Sequence, residues 1–412
     1  MALIRPFRGY RPRADVVEKV ASPPYDVLSS DEAREAAAGN PLSFLHVVKA
    51  EIDLDPSVDV HSDEVYRMGA RNLRRLIDDG FLVRDQAPCF YVYQQRMGAH
   101  LQAGLVVGAS VDEYQSGLIK KHEHTRKDKE TDRARHTEIL GANAGPVFLT
   151  YRADPAVDSV VETVRAGEPE HDFVAEDGVG HTLWAVRDED TIGALIRVFA
   201  AVPALYVADG HHRSAAASRV REIRKEANPG HTGEEQYNFF LAVLFPHDQL
   251  QILDYNRVVK DLGALTEDDF LGQVGTRFDV VATDSPKPVK KGSFGMYLGG
   301  RWYRLGAKPE AFSAGDPVAN LDVSILQENL LGPLLGIEDP RTDPRIDFVG
   351  GIRGLDELER RCGLDAVAAF AFHPTGIEEL MDIADAGKVM PPKSTWFEPK
   401  LRSGIIVKRL DD

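Results

Sequence analysis

Residues 204–219, ALYVADGHHRSAAASR, decide how this chain is read. Leu205 to Val207 form a short apolar run with β propensity, Asp209-Gly210 is a turn signal, and Ser214 to Ala217 favour helix. The order is therefore strand, tight turn, helix start. Such a turn points unpaired backbone N–H groups and the positive end of the helix dipole at one place, which suits an anion such as phosphate. Gly210 lets the backbone approach closely. Arg213 offers a planar fork for phosphate oxygens, His211 and His212 can donate or ligate, and Asp209 can hold a metal or a hydroxyl proton. A plain strand end at an Asp-Gly turn accounts for the geometry but not for so many polar functional groups side by side. This stretch is the candidate active site.

Composition bounds the rest. With 412 residues, two or three modules are expected, each with its own core. A net charge of −16 without a long basic block argues against a grip on nucleic acid, so any bound phosphate belongs to a small molecule. The two cysteines, Cys89 and Cys362, are far apart and suggest neither a disulfide framework nor a thiolate zinc site; a reducing cytoplasm fits. No apolar run reaches the length of a signal peptide core or a membrane span, so no membrane partner is expected.

The first thirty residues read as an irregular, proline-rich wedge in which Tyr25 and Asp26 either pack or reach into a cleft, ahead of a helix capped at Ser30 and Asp31. Asp63 to Gly80 is an amphipathic helix, and Cys89 to Gln95 with Leu101 to Val107 an antiparallel pair. The segment from Ile119 to Gly141 is too polar to be core. It is either a charge-laced exposed helix or the lining of a phosphate cleft, with Glu123 near bound cations and Arg126, Lys129 and Arg133 facing anionic oxygens. A zinc site drawing on His122, His124, His136, His211 and His212 is a further option, although the HExxH pattern is absent.

Asn143 to Tyr151 reads as a turn followed by a buried-type strand, and Tyr237 to Phe245 and Leu250 to Val259 as apolar strands; strands thus flank the turn, which gives an α+β fold with a mixed sheet core. Gly299-Gly300 joins a hairpin, and Gly350 to Gly354 follows a strand but lacks the residues of a phosphate loop. In MPPKSTWFEPKLRSG, residues 390–404, Lys393, Ser394 and Thr395 sit in a proline-bracketed loop suited to substrate recognition or simply to anchoring a surface.

With DGHHR, IKKHEHT and MPPKSTWFEPKLRSG placed, the chain resembles, over nearly its whole length, a bacterial family known as domain of unknown function 1015. Over two shorter motifs it resembles the free serine kinases of the ParB and sulfiredoxin-like superfamily. Those proteins carry an early glutamate and an Asp-Gly-His-His-Arg turn that cradles nucleotide phosphate. Asp209, Gly210, His211, His212 and Arg213 match the turn residue for residue, and Glu123 stands for the glutamate, at a spacing that implies an insertion.

The resemblance implies a ParB/sulfiredoxin-like core at residues 116–260. An N-terminal α/β region at 1–115 and a C-terminal α/β region at 261–412, expected to complete the cleft, flank it, and about half of the chain, the C-terminal region included, has no named counterpart in those kinases. The resemblance also implies a kinase that moves a phosphoryl group to an amino-acid hydroxyl, with free L-serine the first candidate. Glu123, Asp209 and His211 would be catalytic, and Gly210, His212, Arg213, Ser214 and Arg126 would bind phosphate. Lys393, Ser394 and Thr395 would bind substrate, and Asp209 would hold Mg²⁺. The donor is ATP, ADP or pyrophosphate, and a homodimer is compatible with this reading. A nucleotide-binding switch without phosphotransfer and a metal-dependent hydrolase built on the histidines are the alternatives.

Overall fold

The structure, a computed structural model, describes residues 2–313 and 315–411. Contacts divide the chain into two units, Met1–Leu250 with Pro399–Asp412, and Gln251–Glu398.

The first unit is built on a nine-stranded mixed sheet. Its strands are β1 (Ile4–Arg5), β2 (Phe90–Met97), β3 (His100–Ser110), β4 (Ile119–Lys120), β5 (Val147–Tyr151), β6 (His171–Val174), β7 (Gly180–Val186), β8 (Leu205–Asp209) and β9 (Phe239–Pro246). They run in the order β4-β8-β5-β9-β3-β2-β7-β6, with β1 also paired to β3. Strand β9 is buried along its whole length. An unbroken apolar run such as FFLAVLF marks a strand with both faces covered, and β9 lies parallel to β5 and antiparallel to β3. Leu105, Leu149, Val207 and Leu244 meet in the main core cluster.

Sheet order explains how two distant motifs come together. Strand β8 runs parallel to β4, with Leu205 opposite Ile119 and Tyr206 opposite Lys120. Both strands therefore end on the same edge, and Lys121-His122-Glu123 leaves beside Asp209-Gly210-His211. On its other side β8 is antiparallel to β5, and the register shifts between Val207 and Asp209. Such a bulge re-aims the side chain that follows it.

Three helices frame this edge: α1 (Asp63–Asp78), α2 (Lys127–Leu140) and α3 (His211–Ala227). In α1, Val65, Tyr66, Leu73 and Leu76 are buried at helical spacing, as its amphipathic pattern requires. Leu73 and Leu76 join Phe44, Val47 and Leu140 in a second apolar cluster. Each such burial is worth about 2 kcal/mol. The C-terminal tail returns to this unit: Ser403 exchanges backbone hydrogen bonds with Ser22 at 2.9 and 3.0 Å, and Val407 with Tyr10 at 2.9 Å.

The second unit holds a six-stranded antiparallel sheet. Its order is Phe278–Ala282, Arg301–Ala307, Ser293–Leu298, Ala368–Ala371, Tyr255–Val259 and Ile346–Gly350. Gly299 and Gly300 both take positive φ, 57° and 76°, as a two-residue hairpin demands.

Several local expectations change. The N-terminal wedge contains ordered strands at Ile4–Arg5 and Tyr10–Pro12. Ser29, not Ser30, caps the helix Ser30–Ala36, in a capping box with Glu32. The run from 250 to 259 splits into Gln251–Leu253 and Tyr255–Val259, which pair in different sheets. The spans 1–115 and 116–260 share one sheet through the β3–β9 pairing, so contacts place nearly all of both in one unit. Composition does not report such pairing, because strands meet by register and not by sequence proximity. Among the described residues no helix is long and apolar enough to cross a membrane.

Candidate functional site

The site is assembled around the turn from β8 to α3. Gly210 takes a left-handed conformation, φ 96°, and a Cβ there would lie 3.4 Å from the Val147 backbone. Only glycine adopts this corner without strain. No side chain caps the start of α3, a helix of 17 residues. The first-turn amides of such a helix have no intrahelical acceptor and, with the dipole, present partial positive charge.

Asp209 is held from two sides. Oδ1 accepts the Gly210 N–H at 2.7 Å, and Oδ2 accepts from Lys400 Nζ at 2.9 Å. Burial alone pushes the Asp209 carboxyl up. The charge and hydrogen bond of Lys400, with Arg213 behind them, outweigh burial and hold the group well below the usual carboxylate range. Asp209 is thus an anion at neutral pH, and Lys400 is a site residue that sequence reasoning missed. The pair spans 191 residues, and the one available signal was that Lys400 follows soon after the Lys393 loop that was singled out.

His211 and His122 pack edge to face, with ring centroids 4.5 Å apart and planes at 89°. Burial pushes His122 down to about 4, and burial followed by the neighbouring His122 drives His211 well below its ordinary value. Both imidazoles are neutral at pH 7. Glu123 joins them: one potential ligand atom from each of the three residues lies within 4.8 Å of the other two. His212 Nε2 accepts the Arg126 backbone N–H at 3.1 Å, which ties the 121–126 loop to the turn. The Arg126 guanidinium instead pairs with Asp128 at 2.8 Å in an exposed position. Ser214 is fully buried and turns its hydroxyl back to the Gly210 carbonyl at 3.2 Å.

Arg213 lines a cleft together with Tyr25, Arg133, His136, Thr137, Gly145 and Ser403. Arg213 Nη1 donates to the Pro146 carbonyl at 3.0 Å, whereas Nη2 is buried and has no hydrogen-bond partner among the described residues. Its nearest carboxylate is Asp26 at 3.7 Å. Arg133 and Arg213 both lie over the Tyr25 ring, at 4.2 and 5.1 Å from its centroid. Burial raises the Tyr25 hydroxyl to about 12, so it stays protonated. A Cβ on Gly145 would come within 3.1 Å of Ser403 Oγ and 3.5 Å of the Arg213 guanidinium carbon, so the missing side chain leaves room for that approach. Tyr25 does both things expected of it, packing against the second apolar cluster and lining the cleft, while Asp26 approaches Arg213.

The remaining sequence-predicted residues each have surroundings of their own. His124 is exposed, and His136 is buried in α2, where it bonds the Val47 carbonyl at 3.1 Å. Lys393, Ser394 and Thr395 belong to the second unit. There Lys393 has φ 57° and its ammonium lies 5.5 Å from the Tyr255 ring centroid, while Ser394 Oγ donates to the Pro391 carbonyl at 2.6 Å.

Fold and site together define an α+β protein whose mixed sheet presents a charged strand-to-helix turn. The chain belongs to the family described as proteins of unknown function DUF1015, which matches residues 4–324. No curated protein matches it. Solved structures similar to it include a free serine kinase in complex with AMP, at 12% identity, with 71% of this chain and 86% of that chain covered and a TM-score of 0.35. SbnI with a C-terminal truncation from Staphylococcus aureus is 12% identical, covering 71% of this chain and 82% of that chain at a TM-score of 0.36. A conserved hypothetical protein from Pyrococcus furiosus is 14% identical, covering 74% and 95% at a TM-score of 0.34.

Proposed function

We propose that this protein is a phosphotransferase that moves a phosphoryl group from a nucleotide or polyphosphate donor to an amino-acid hydroxyl, free L-serine first, on a core of the ParB/sulfiredoxin-like type. One observation carries the reading: a 17-residue helix begins at a left-handed glycine without a side-chain cap, beside an arginine whose Nη2 is buried without a hydrogen-bond partner among the described residues. Buried polar hydrogens without partners are costly, and phosphate oxygens satisfy amides and guanidinium together. The Asp-Gly-His-His-Arg turn is also what the chain shares with the free serine kinases.

Phosphoryl transfer asks the protein chiefly to align the reactants and neutralise charge. On this reading the amides of His211 and His212 with Arg213 hold the donor phosphates. The turn glycine keeps that approach open. Glu123 takes the proton of the attacking hydroxyl, as a carboxylate in a half-buried position can. Asp209, ionised and fixed by Lys400, is the oxygen ligand available to Mg²⁺, an ion that favours one or two carboxylates together with substrate phosphates. That ion would supply charge neutralisation at the transferring phosphate. Arg126 and Ser214 are second-rank contacts, because one guanidinium is engaged by Asp128 and the hydroxyl is turned inward. Lys393, Ser394 and Thr395 remain candidates for the amino acid.

The test is an incubation of purified protein with amino acids and ATP, ADP or pyrophosphate, followed by mass spectrometry for a phosphoamino acid. Product from the wild type and none from Glu123→Gln or Arg213→Ala supports the proposal. Nucleotide binding without product in any combination supports a switch instead.

A further inference from the structure

We propose that His122, Glu123 and His211 form a binding site for a single divalent cation of the zinc class, distinct from the Mg²⁺ role given to Asp209. Two independent observations meet here. The three potential ligand atoms cluster within 4.8 Å of one another. Separately, the two imidazoles are nine-tenths or more buried, yet His122 Nδ1 and His211 Nε2 have no hydrogen-bond partner among the described residues.

The tautomer at His122 follows from its surroundings. Its ring bonds the Val207 backbone, and since Nδ1 is the partnerless atom, Nε2–H is the donor to that carbonyl. The lone pair is thereby placed on Nδ1, the nitrogen left without a hydrogen-bond partner among the described residues. A carbonyl that fixes one ring nitrogen so that the other can ligate is the usual arrangement behind a metal-bound histidine. A tetrahedral zinc ion with bonds of about 2.1 Å holds its ligand atoms about 3.4 Å apart, so each side chain needs to close by less than about 1 Å.

Two neutral nitrogens and one carboxylate select for the ion. Imidazole suits zinc and its neighbours in the transition series, whereas Mg²⁺ prefers oxygen and retains its waters. Three protein ligands leave a fourth position open to water or to a substrate oxygen. The site is independent of the phosphotransfer proposal, but it bears on it. An ion bound here occupies the Glu123 carboxylate, so zinc would act as an inhibitor of a reaction that uses Glu123 as its base.

The experiment uses the full chain without a histidine tag, stripped with a chelator and titrated calorimetrically with ZnCl₂, CoCl₂ and MgCl₂. The expected result is one saturable Zn²⁺ per chain, visible Co²⁺ bands of low-symmetry coordination, and no competition by Mg²⁺. Glu123→Gln and His122→Gln should each weaken Zn²⁺ at least about 10-fold, while His124→Ala, which changes an exposed histidine of the same loop, should not. Circular dichroism checks folding, and Glu123→Gln, at a half-buried position, carries the comparison if His122→Gln does not fold. Absence of saturable zinc binding by the wild type, or unchanged affinity in the correctly folded variants, overturns the proposal. Neither outcome touches the phosphoamino acid assay, so the two proposals fail separately.

Discussion

Removing the Lys400 ammonium tests how the turn is held. In Lys400→Met, Asp209 keeps its Gly210 hydrogen bond but loses the partner at 2.9 Å. Breaking a fully buried ion pair from one side costs about 3–5 kcal/mol. Here the two side chains are 20% and 37% exposed, so solvent screens part of that cost, and about 1–3 kcal/mol is expected. The sign with pH follows from the depressed Asp209 carboxyl. Its stabilisation is fully present above the unfolded value near 4, and it is lost as pH falls through the lower folded value. The gap between wild type and variant should therefore be full at pH 7 and shrink in acid below about 4. Urea unfolding supplies the measurement, with hydrogen exchange read on peptides covering Leu205–Ala227 because the chain has two units. The double variant Lys400→Met/Asp209→Asn should recover at least about 1 kcal/mol of the loss, since no charge is then left unpaired. A loss below about 0.5 kcal/mol at pH 7, in the range of ordinary surface changes, would refute the reasoning, as would a double variant no better than the single one.

Other perturbations have equally definite outcomes. Gly210→Ala forces a Cβ into a left-handed corner 3.4 Å from the Val147 backbone and should cost about 1–2 kcal/mol in thermal or urea unfolding. Arg213→Ala should leave the melting temperature nearly unchanged yet weaken pyrophosphate or nucleotide binding by about 10- to 100-fold in calorimetry, the value of one charge-assisted contact. Glu123→Gln should lower turnover by about 100- to 10,000-fold while nucleotide still binds, as loss of a general base requires. His136, pushed down to about 4 chiefly by burial, stabilises the fold only while neutral. Its contribution is complete above pH 6.5 and is lost as pH falls towards 4, so His136→Leu should flatten the stability profile across that window.

What the sequence made legible was local. The strand, turn and helix at Leu205–Ala227 follow from an apolar run, a glycine able to take φ 96° and a helix-favouring alanine segment, and all three are present. The central strand Phe239–Pro246 was visible because a strand buried on both faces has no polar alternation. The companionship of Glu123 with the turn was suggested by motif resemblance, and its physical cause, the parallel pairing of Ile119–Lys120 with Leu205–Tyr206, appears only in the sheet. Lys400 was out of reach for the same reason. Its neighbours in sequence belong to a segment that leaves the second unit at Glu398 and returns to the first at Pro399, a passage that no change of composition marks. The Lys393 loop was chosen for its chemistry, and contacts assign it to the second unit.

The central claim rests on transfer. A donor labelled in its terminal phosphate should leave the label on the hydroxyl oxygen of free serine or of another amino acid, and Arg213→Ala and Glu123→Gln should abolish this labelling. Unlabelled amino acids with every donor, or labelling that persists undiminished in both variants, would contradict it.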